Sequence, residues 1–436
     1  MTTVCVIGAG IAGLSAATRL KRAGYDVTVY EAQPSVGGRA ANCEREGMRF
    51  TSGANIFYGF SPAMRALLAD NGLSHVARRL PRLQARCIGE SGQWSVDMTP
   101  TPQFLTSRDF SIADKLRLAR FMAGIVLGAR GADGDDACST LAHDGETLRA
   151  FCEPRMGRVL TEKMVGIVYR SARGMGLDDI SPSTFISMMR ALAFDRSVMA
   201  IDGGIGAIAA KLGEDVGVAT GVKVRDVAER EDCCTVTLES GEQRHFDLAT
   251  VAVEGNQARN LVSTAGAEER AFLGRVTYNA TIYCHCLLAG AHPGGQWFLS
   301  GPRFPWISAA KVSAVTDEGQ PAIHVTLTVA PEIVQRSGVD IAEDEVLDRC
   351  LTDLRGLFPT LHAAPKRWFV QKVASKTPLF VPGYGVEAAQ FRALQEAPER
   401  RVFYAGDYLY QPLLGGAALS GAHIADHIAR HWPDLG

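Results

Sequence analysis

The chain has little excess of charge, no long apolar run, no regular cysteine spacing and no internal repeat. Its 45 Lys and Arg stand against 47 Asp and Glu, a formal charge of −2 with the two signs evenly mixed. Gathering nucleic acid or an anionic membrane takes a one-signed field, so no polyanionic partner is expected. The longest lipid-like stretch, Phe121 to Ala129, is interrupted by Gly124 and Gly128 and falls far short of the roughly 20 residues that span a bilayer. It reads as a buried helix or a cavity wall, and membrane association is not expected. No basic segment precedes a cleavable apolar run, because Val4 to Ile7 leads straight into glycines, so no signal peptide is expected.

The ten cysteines do not form a disulfide scaffold, and a chain of this length has no need of covalent staples. A reducing compartment, the cytoplasm, fits best. Cys284 and Cys286 flank His285, but no second pair with ligand spacing stands nearby and no metal is expected. They read as buried strand residues, as do the adjacent Cys233 and Cys234.

What is present is length and a set of local patterns. At 436 residues the chain exceeds the usual size of one domain, which predicts two interleaved domains with room for a buried ligand. Val4 to Ile7 reads as a strand, Gly8-Ala9-Gly10-Ile11-Ala12-Gly13 as a tight turn, the Ala/Leu-rich stretch to Ala23 as a helix ended by Gly24, and Val27 to Tyr30 as a second strand. From Phe104 to about Phe194 the spacing is helical. Short β-rich runs return at 222–227, 235–238 and 248–253, then at 281–288 and 323–329. Asp340 to Phe358 is helical, and 402–430 repeats strand, turn and helix.

The first βαβ unit carries a dinucleotide signature. Gly8 permits the tight turn, Gly10 lets backbone approach a pyrophosphate, and Gly13 lets helix and strand pack closely, so Gly8, Gly10, Ala12 and Gly13 are the expected binding residues. The phosphates would lie at the helix N-terminus, where unpaired N–H groups favour an anion. Glu31 stands at the tip of the next strand, 18 residues beyond Gly13. A carboxylate there accepts from both ribose hydroxyls of an adenosine and repels a 2′-phosphate, which disfavours NADP. Glu31→Ala is expected to weaken cofactor binding with little change in fold.

Gly37-Gly38-Arg39 follows, and near the other end come Tyr404-Ala405-Gly406-Asp407 and Pro412 to Gly421. Together these resemble the flavin-dependent amine oxidase superfamily, which includes monoamine oxidases, protoporphyrinogen oxidases and phytoene desaturases. The resemblance implies an α/β fold with a Rossmann-type FAD-binding domain, GR2-like and interleaved, beside a mixed sheet-plus-helix substrate domain. The expected division is FAD-binding parts at 1–75, 201–265 and 386–436, with the substrate domain at 76–200, including a helical insertion, and at 266–385.

By the same resemblance Gly38 and Arg39 cover the pyrophosphate or ribityl region, and Gly406 and Asp407 meet the ribityl chain. Leu414, Gly416 and Ala417 open a helix pointing at the flavin N1–C2=O edge, where reduction builds negative charge. Val222 or Val224 would bond the adenine, with the register between them open. Gly53, Ala54 and Asn55 would run along the flavin, although Thr51-Ser52 stands where the superfamily commonly has Asp-Leu. Amine oxidases of this superfamily usually carry a lysine near flavin N5, and here Tyr283 takes that position. No cysteine lies between Tyr404 and Gly421, which implies non-covalent FAD.

The expected activity is an FAD-dependent oxidase or desaturase that moves a hydride from a C–H of an apolar small molecule, such as a specialised metabolite, to N5, giving C=C or C=N. The electron acceptor would be O2 or a quinone. Its rivals are a true amine oxidase and a redox-silent FAD-binding protein or isomerase. Substrate-contact candidates are Tyr58, Tyr283, Trp306 and Tyr410, with Tyr408 and Lys311 also considered. No residue is assigned as catalytic, and the sequence leaves the oligomeric state open.

Overall fold

A computed structural model describes residues 1–80, 83–90, 92–97, 99, 103–292, 294–359, 361, 364–397 and 399–433, the side chains of 103 and 105 excepted. Residues 434–436 of the last expected segment lie outside the described residues.

The strand Thr3–Ile7 is a short apolar run, and residues 4–7 are buried as a central parallel strand requires. It pairs in parallel with Asp26–Glu31 on one side and Leu248–Val251 on the other. Ala219–Thr220 and Val402–Tyr404 complete a five-stranded parallel sheet in the order 219–220, 26–31, 3–7, 248–251, 402–404. The strand carboxyl ends, Ile7, Glu31 and Val251 among them, therefore line up along one edge, where open α/β sheets bind ligands.

The helix Ile11–Arg22 leaves the first strand through the glycine turn and ends with Gly24 at φ 95°. It packs against the last helix, Leu414–His431, closely enough that a Cβ on Gly421 would come within 2.1 Å of the Ala12 carbonyl oxygen. Ser15 Oγ donates to the Ala418 carbonyl at 2.8 Å across the same contact.

A second, seven-stranded sheet follows the order Arg367–Pro378, Tyr278–Ala289, Gln320–Val329, Ile307–Asp317, Gly295–Leu299, Gln84–Gly89, Gly92–Asp97. All pairings are antiparallel except Gly295–Leu299 with Gln84–Gly89. Its back face, including Ile282, Cys284, Cys286, Val312, Val325 and Leu327, packs with Val346, Cys350 and Leu354 of the helix Glu343–Leu357. Each such aliphatic side chain, fully buried, contributes about 1.5–3 kcal/mol. Cys284 and Cys286 belong to this core, both fully buried.

Two expectations are corrected here. The run expected at 222–227 begins its strand at Val224, as Val224–Glu229, and forms a separate three-stranded sheet with Cys234–Leu238 and Gln243–Phe246. The Phe121 to Ala129 stretch lies in the helix Ile112–Gly128, of which only Phe121 and Ile125, one turn apart, are buried. Leu127 is 63% exposed, so the stretch is neither a buried helix nor a cavity wall. Among the described residues no helix is long and apolar enough to cross a membrane.

Candidate functional site

One cavity of about 1810 Å³ runs from the carboxyl edge of the parallel sheet to the front face of the seven-stranded sheet. A site for one drug-sized ligand occupies roughly 300–1,000 Å³, so this cavity has room for a dinucleotide and a second molecule.

The glycine turn forms one end. Gly8 has φ 101°, and a Cβ there would meet the Ala252 carbonyl oxygen at 2.8 Å. Gly10 caps the first helix, and a Cβ on it would find nothing within 4 Å, so this backbone is open to the cavity. Gly13 does not line the cavity. It lies under the turn, with a Cβ position only 2.0 Å from the Gly8 carbonyl oxygen, which is a packing duty. Ala12 lines the cavity beside the helix N-terminus, which has no capping side chain and no acidic residue in its first turn.

Glu31 is 9% exposed at its strand tip. Its Oε2 accepts the Ala9 N–H at 2.7 Å and its Oε1 the Gln33 N–H at 2.9 Å. The carboxylate therefore holds the turn as well as facing the cavity, a structural role absent from the sequence-based expectation. Val222 and Val224 both line this end, and Val222 gives its N–H to the Glu31 carbonyl at 2.9 Å.

Gly37 and Gly38 lie across the turn, the Gly37 N–H donating to the Ala9 carbonyl at 2.8 Å. Arg39 reaches from there to Asp407, with Nη1–Oδ2 at 2.9 Å and Nη2–Oδ1 at 2.7 Å, a bidentate pair joining the two distant motifs. Gly53, Ala54 and Asn55 line the cavity beside them, and the Ala54 N–H bonds the Arg39 carbonyl at 3.0 Å. Gly406 lines it too, its N–H bound to Ser420 Oγ at 2.9 Å.

Leu414 and Ala417 bring the N-terminus of the last helix to the cavity, again with no capping side chain and no acid in the first turn. Gly416 is turned away, a Cβ there falling 2.1 Å from the Gln411 carbonyl oxygen. Beside this terminus sits Asp135, within the stretch expected to be helical and not singled out from the sequence, only 1% exposed. Its Oδ2 accepts from Ser61 Oγ at 2.8 Å and from the Ala63 N–H at 3.2 Å, while Oδ1 has no partner. Burial pushes its carboxyl up to about 6.

Of the four substrate candidates the structure brings Tyr58 and Tyr283 to the cavity, and Lys311 with them. Trp306 and Tyr410 are corrections. Trp306 packs on the back of the seven-stranded sheet, with the Arg349 guanidinium 5.7 Å from its ring centre. Tyr410 is buried under Arg392, 3.8 Å away, and Tyr408 is fully buried in the same core. These aromatics follow the sequence motifs but point into packing.

The missed residues lie on the sheet wall. His285, Ser313, His324, Thr326, Thr328 and Gln371, beside the expected Tyr283 and Lys311, alternate with the apolar back-face residues and face the cavity. Strand alternation fixes that division, and period-two reading of 281–288 and 323–329 is the signal that carries it. Arg173 and Lys376 also line this end; Arg173 comes from a π-helical stretch, Tyr169–Arg173, of a kind frequent at functional sites.

Two uncapped helix N-termini, an open glycine backbone, a carboxylate at a strand tip and an Arg–Asp pair between them fit an FAD, with anion sites at its pyrophosphate and flavin ends. A curated relative, protoporphyrinogen oxidase 2 of Arabidopsis thaliana, is 43% identical over 115 residues, 26% of this chain and 23% of that protein. A 1-hydroxycarotenoid 3,4-desaturase of Flavobacterium sp. is 46% identical over 57 residues, 13% of this chain and 12% of that one. These matches thus span less than a quarter of either relative's length. Wild-type putrescine oxidase bound to putrescine has the same fold, with a TM-score of 0.77 at 17% identity over 98% of this chain and 99% of that one. With residues 11–429 matched by the flavin containing amine oxidoreductase family, the chain belongs to that family.

Proposed function

We propose that the protein is an FAD-dependent oxidoreductase that dehydrogenates a C–H of a small molecule with a largely apolar body. The observation that carries this is the continuous cavity joining the dinucleotide turn to the sheet wall, which gives cofactor and substrate one shared space. The chemistry FAD supplies when bound is acceptance of a hydride at N5, leaving C=C or C=N. Glu31 would hold the adenosine ribose, the amides after Gly10 the pyrophosphate, Arg39 and Asp407 the ribityl region, and the amides from Leu414 to Ala417 the flavin carbonyl edge. Protoporphyrinogen and hydroxycarotenoid, named for the relatives, are both oxidised in large apolar frames. Ile56, Phe57, Leu80 and Leu83 give this cavity an apolar side of its own.

Dissociable FAD is inferred from the lack of a cysteine between Tyr404 and Gly421, and release of all flavin on acid denaturation is the check. The acceptor is O2 or a quinone. The three-part FAD domain and two-part substrate domain expected from the sequence are kept as the division of labour, since the parallel sheet draws its strands from 3–31, 219–251 and 402–404. The test is the visible spectrum of the purified protein, titrated anaerobically with amines, polyenes and cyclic dihydro compounds. Bleaching of a flavin band by polyenes or dihydro compounds supports C–C dehydrogenation, bleaching by amines alone replaces it with the amine oxidase reading, and absence of flavin refutes both.

A further inference from the structure

The front of the seven-stranded sheet is polar and faces the cavity. Gln296, Lys311, Thr326 and His285 stand opposite one another on four consecutive strands and form one straight row. Ser313 and His324 form the next row. An antiparallel sheet commonly has an apolar face on the core and a polar face in water. Here the second face looks across the cavity at Tyr58 and the apolar side chains around it.

Within that wall the polar groups are unevenly satisfied. His285 Nδ1 and His324 Nε2 are 3.0 Å apart, His285 Nε2 is 3.2 Å from Gln371 Oε1, and Gln371 in turn donates to the Ser52 carbonyl at 3.2 Å. Burial, with His324 and Lys311 adding to it, holds His285 down to about 4, so the row gains no charge from it at neutral pH. Lys311 is different. None of the described residues gives its ammonium a hydrogen bond or an ion pair, and the Gln296 amide opposite it is equally unengaged.

The acids lining the cavity are committed elsewhere. Glu31 holds the glycine turn, Asp407 and Glu254 lie around Arg39, Glu44 pairs with Arg49 and Glu239 with Lys223, and Asp135 accepts from Ser61 and Ala63 through one oxygen. The adenosine end mixes Glu31 and Glu239 with Lys223 and Arg225, whereas the sheet wall carries Lys311, with Arg173 and Lys376 lining the cavity near Tyr283. Lys311 is exposed to the cavity, so a substrate that fills the cavity strips water from its ammonium, and a ligand that brings the counter-charge offsets that cost. A protonated amine would meet like charge instead.

We propose that Lys311, with Gln296 beside it, binds a carboxylate of the substrate, so that the preferred substrate has an apolar body and an acidic end. This rests on the oxidoreductase reading above and narrows it. An apolar frame lies along Ile56 to Tyr58 and Leu80, while the carboxylate at Lys311 fixes which C–H is presented. Lys311, the wall cation with no hydrogen bond among the described residues, supplies the specificity for the acid over the isosteric alcohol, and Arg173 and Lys376 add to the disfavour for an amine.

The test uses the full chain loaded with FAD, titrated calorimetrically with octanoate, octan-1-ol and octylamine. Octanoate is expected to bind roughly 10- to 100-fold more tightly than octan-1-ol, the scale of a charged hydrogen bond, with octylamine weakest. In K311M and K311Q octanoate falls to within about twofold of the alcohol, and K311R restores the preference. An unchanged flavin spectrum in each variant shows that the cavity is still formed. Octanoate that binds no better than octan-1-ol, or a preference that survives in both K311M and K311Q, overturns the proposal. A chain that takes up no flavin fails at the spectrum instead and refutes the oxidoreductase reading; the same calorimetry then still decides whether Lys311 selects acids.

Discussion

Glu31→Ala separates cofactor binding from fold, and the structure sets a size for each. The substitution removes two acceptors. Gln33 is exposed, so its N–H returns to water at little cost, but Ala9 is fully buried and its N–H is left unpaired. An unsatisfied buried donor costs roughly 1–3 kcal/mol. At the usual entropy of about 2.1 cal/mol/K per residue, 436 residues unfold with roughly 0.9 kcal/mol/K, so the Tm of the flavin-free chain falls by about 1–3 °C. Loss of charged hydrogen bonds to the ribose weakens FAD by roughly 10- to 150-fold. Thermal unfolding of the flavin-free protein and an FAD titration followed by flavin fluorescence read the two effects apart. Glu31→Gln keeps one oxygen and falls between. An unmoved Tm removes the turn-holding role of the carboxylate, and an unmoved FAD affinity removes Glu31 from the cofactor site altogether.

The glycines make a second pair of tests. Gly10→Ala costs the free chain at most about 1 kcal/mol as a poorer helix cap yet lowers FAD affinity, whereas Gly13→Ala drives a Cβ into the Gly8 carbonyl and destabilises by about 1–3 kcal/mol or more, read by urea unfolding. Asp135, raised from 3.8 to about 6, holds a proton more tightly folded than unfolded. The stability it contributes to the flavin-free chain is present below pH 4 and is lost, by up to about 3 kcal/mol, as pH rises through 6; Asp135→Asn removes that slope from unfolding curves taken between pH 4 and 7. Trp306→Phe and Tyr410→Phe should lower stability without changing KM, while Tyr283→Phe changes kcat or KM, because only Tyr283 faces the cavity.

The parts legible in the sequence are those with local causes. A four-residue apolar strand, glycines whose backbone must pass close to a neighbour, and an acid at the next strand tip specify the first βαβ unit within thirty residues. The pairing of that unit with 248–251 and 402–404 is not local; the resemblance carried by the distant motifs assigned those segments to the same domain but not their strand order. The substrate wall was hidden for a different reason. Alternation along 281–288 separates Tyr283 and His285 from Cys284 and Cys286, but it does not say whether the polar side meets bulk water or an enclosed space. Trp306 and Tyr410 were singled out as large aromatics near motifs, and burial in the cores decided against them. Asp135 had no signal at all, because a carboxylate in an Asp/Gly-rich loop reads as solvated until its neighbours are in place.

The strand Val402–Tyr404 and the helix after it give the parallel sheet its final edge and its second anion site. During synthesis, the first 400 residues can leave the ribosome and fold locally while Leu248–Val251 still offers an unpaired edge and Ala12 and Ala16 an uncovered helix face. Cofactor capture is thereby deferred until Val402–Tyr404 and Leu414–His431 have been made. A truncated or stalled product would be a colourless, aggregation-prone species rather than a weakly active one.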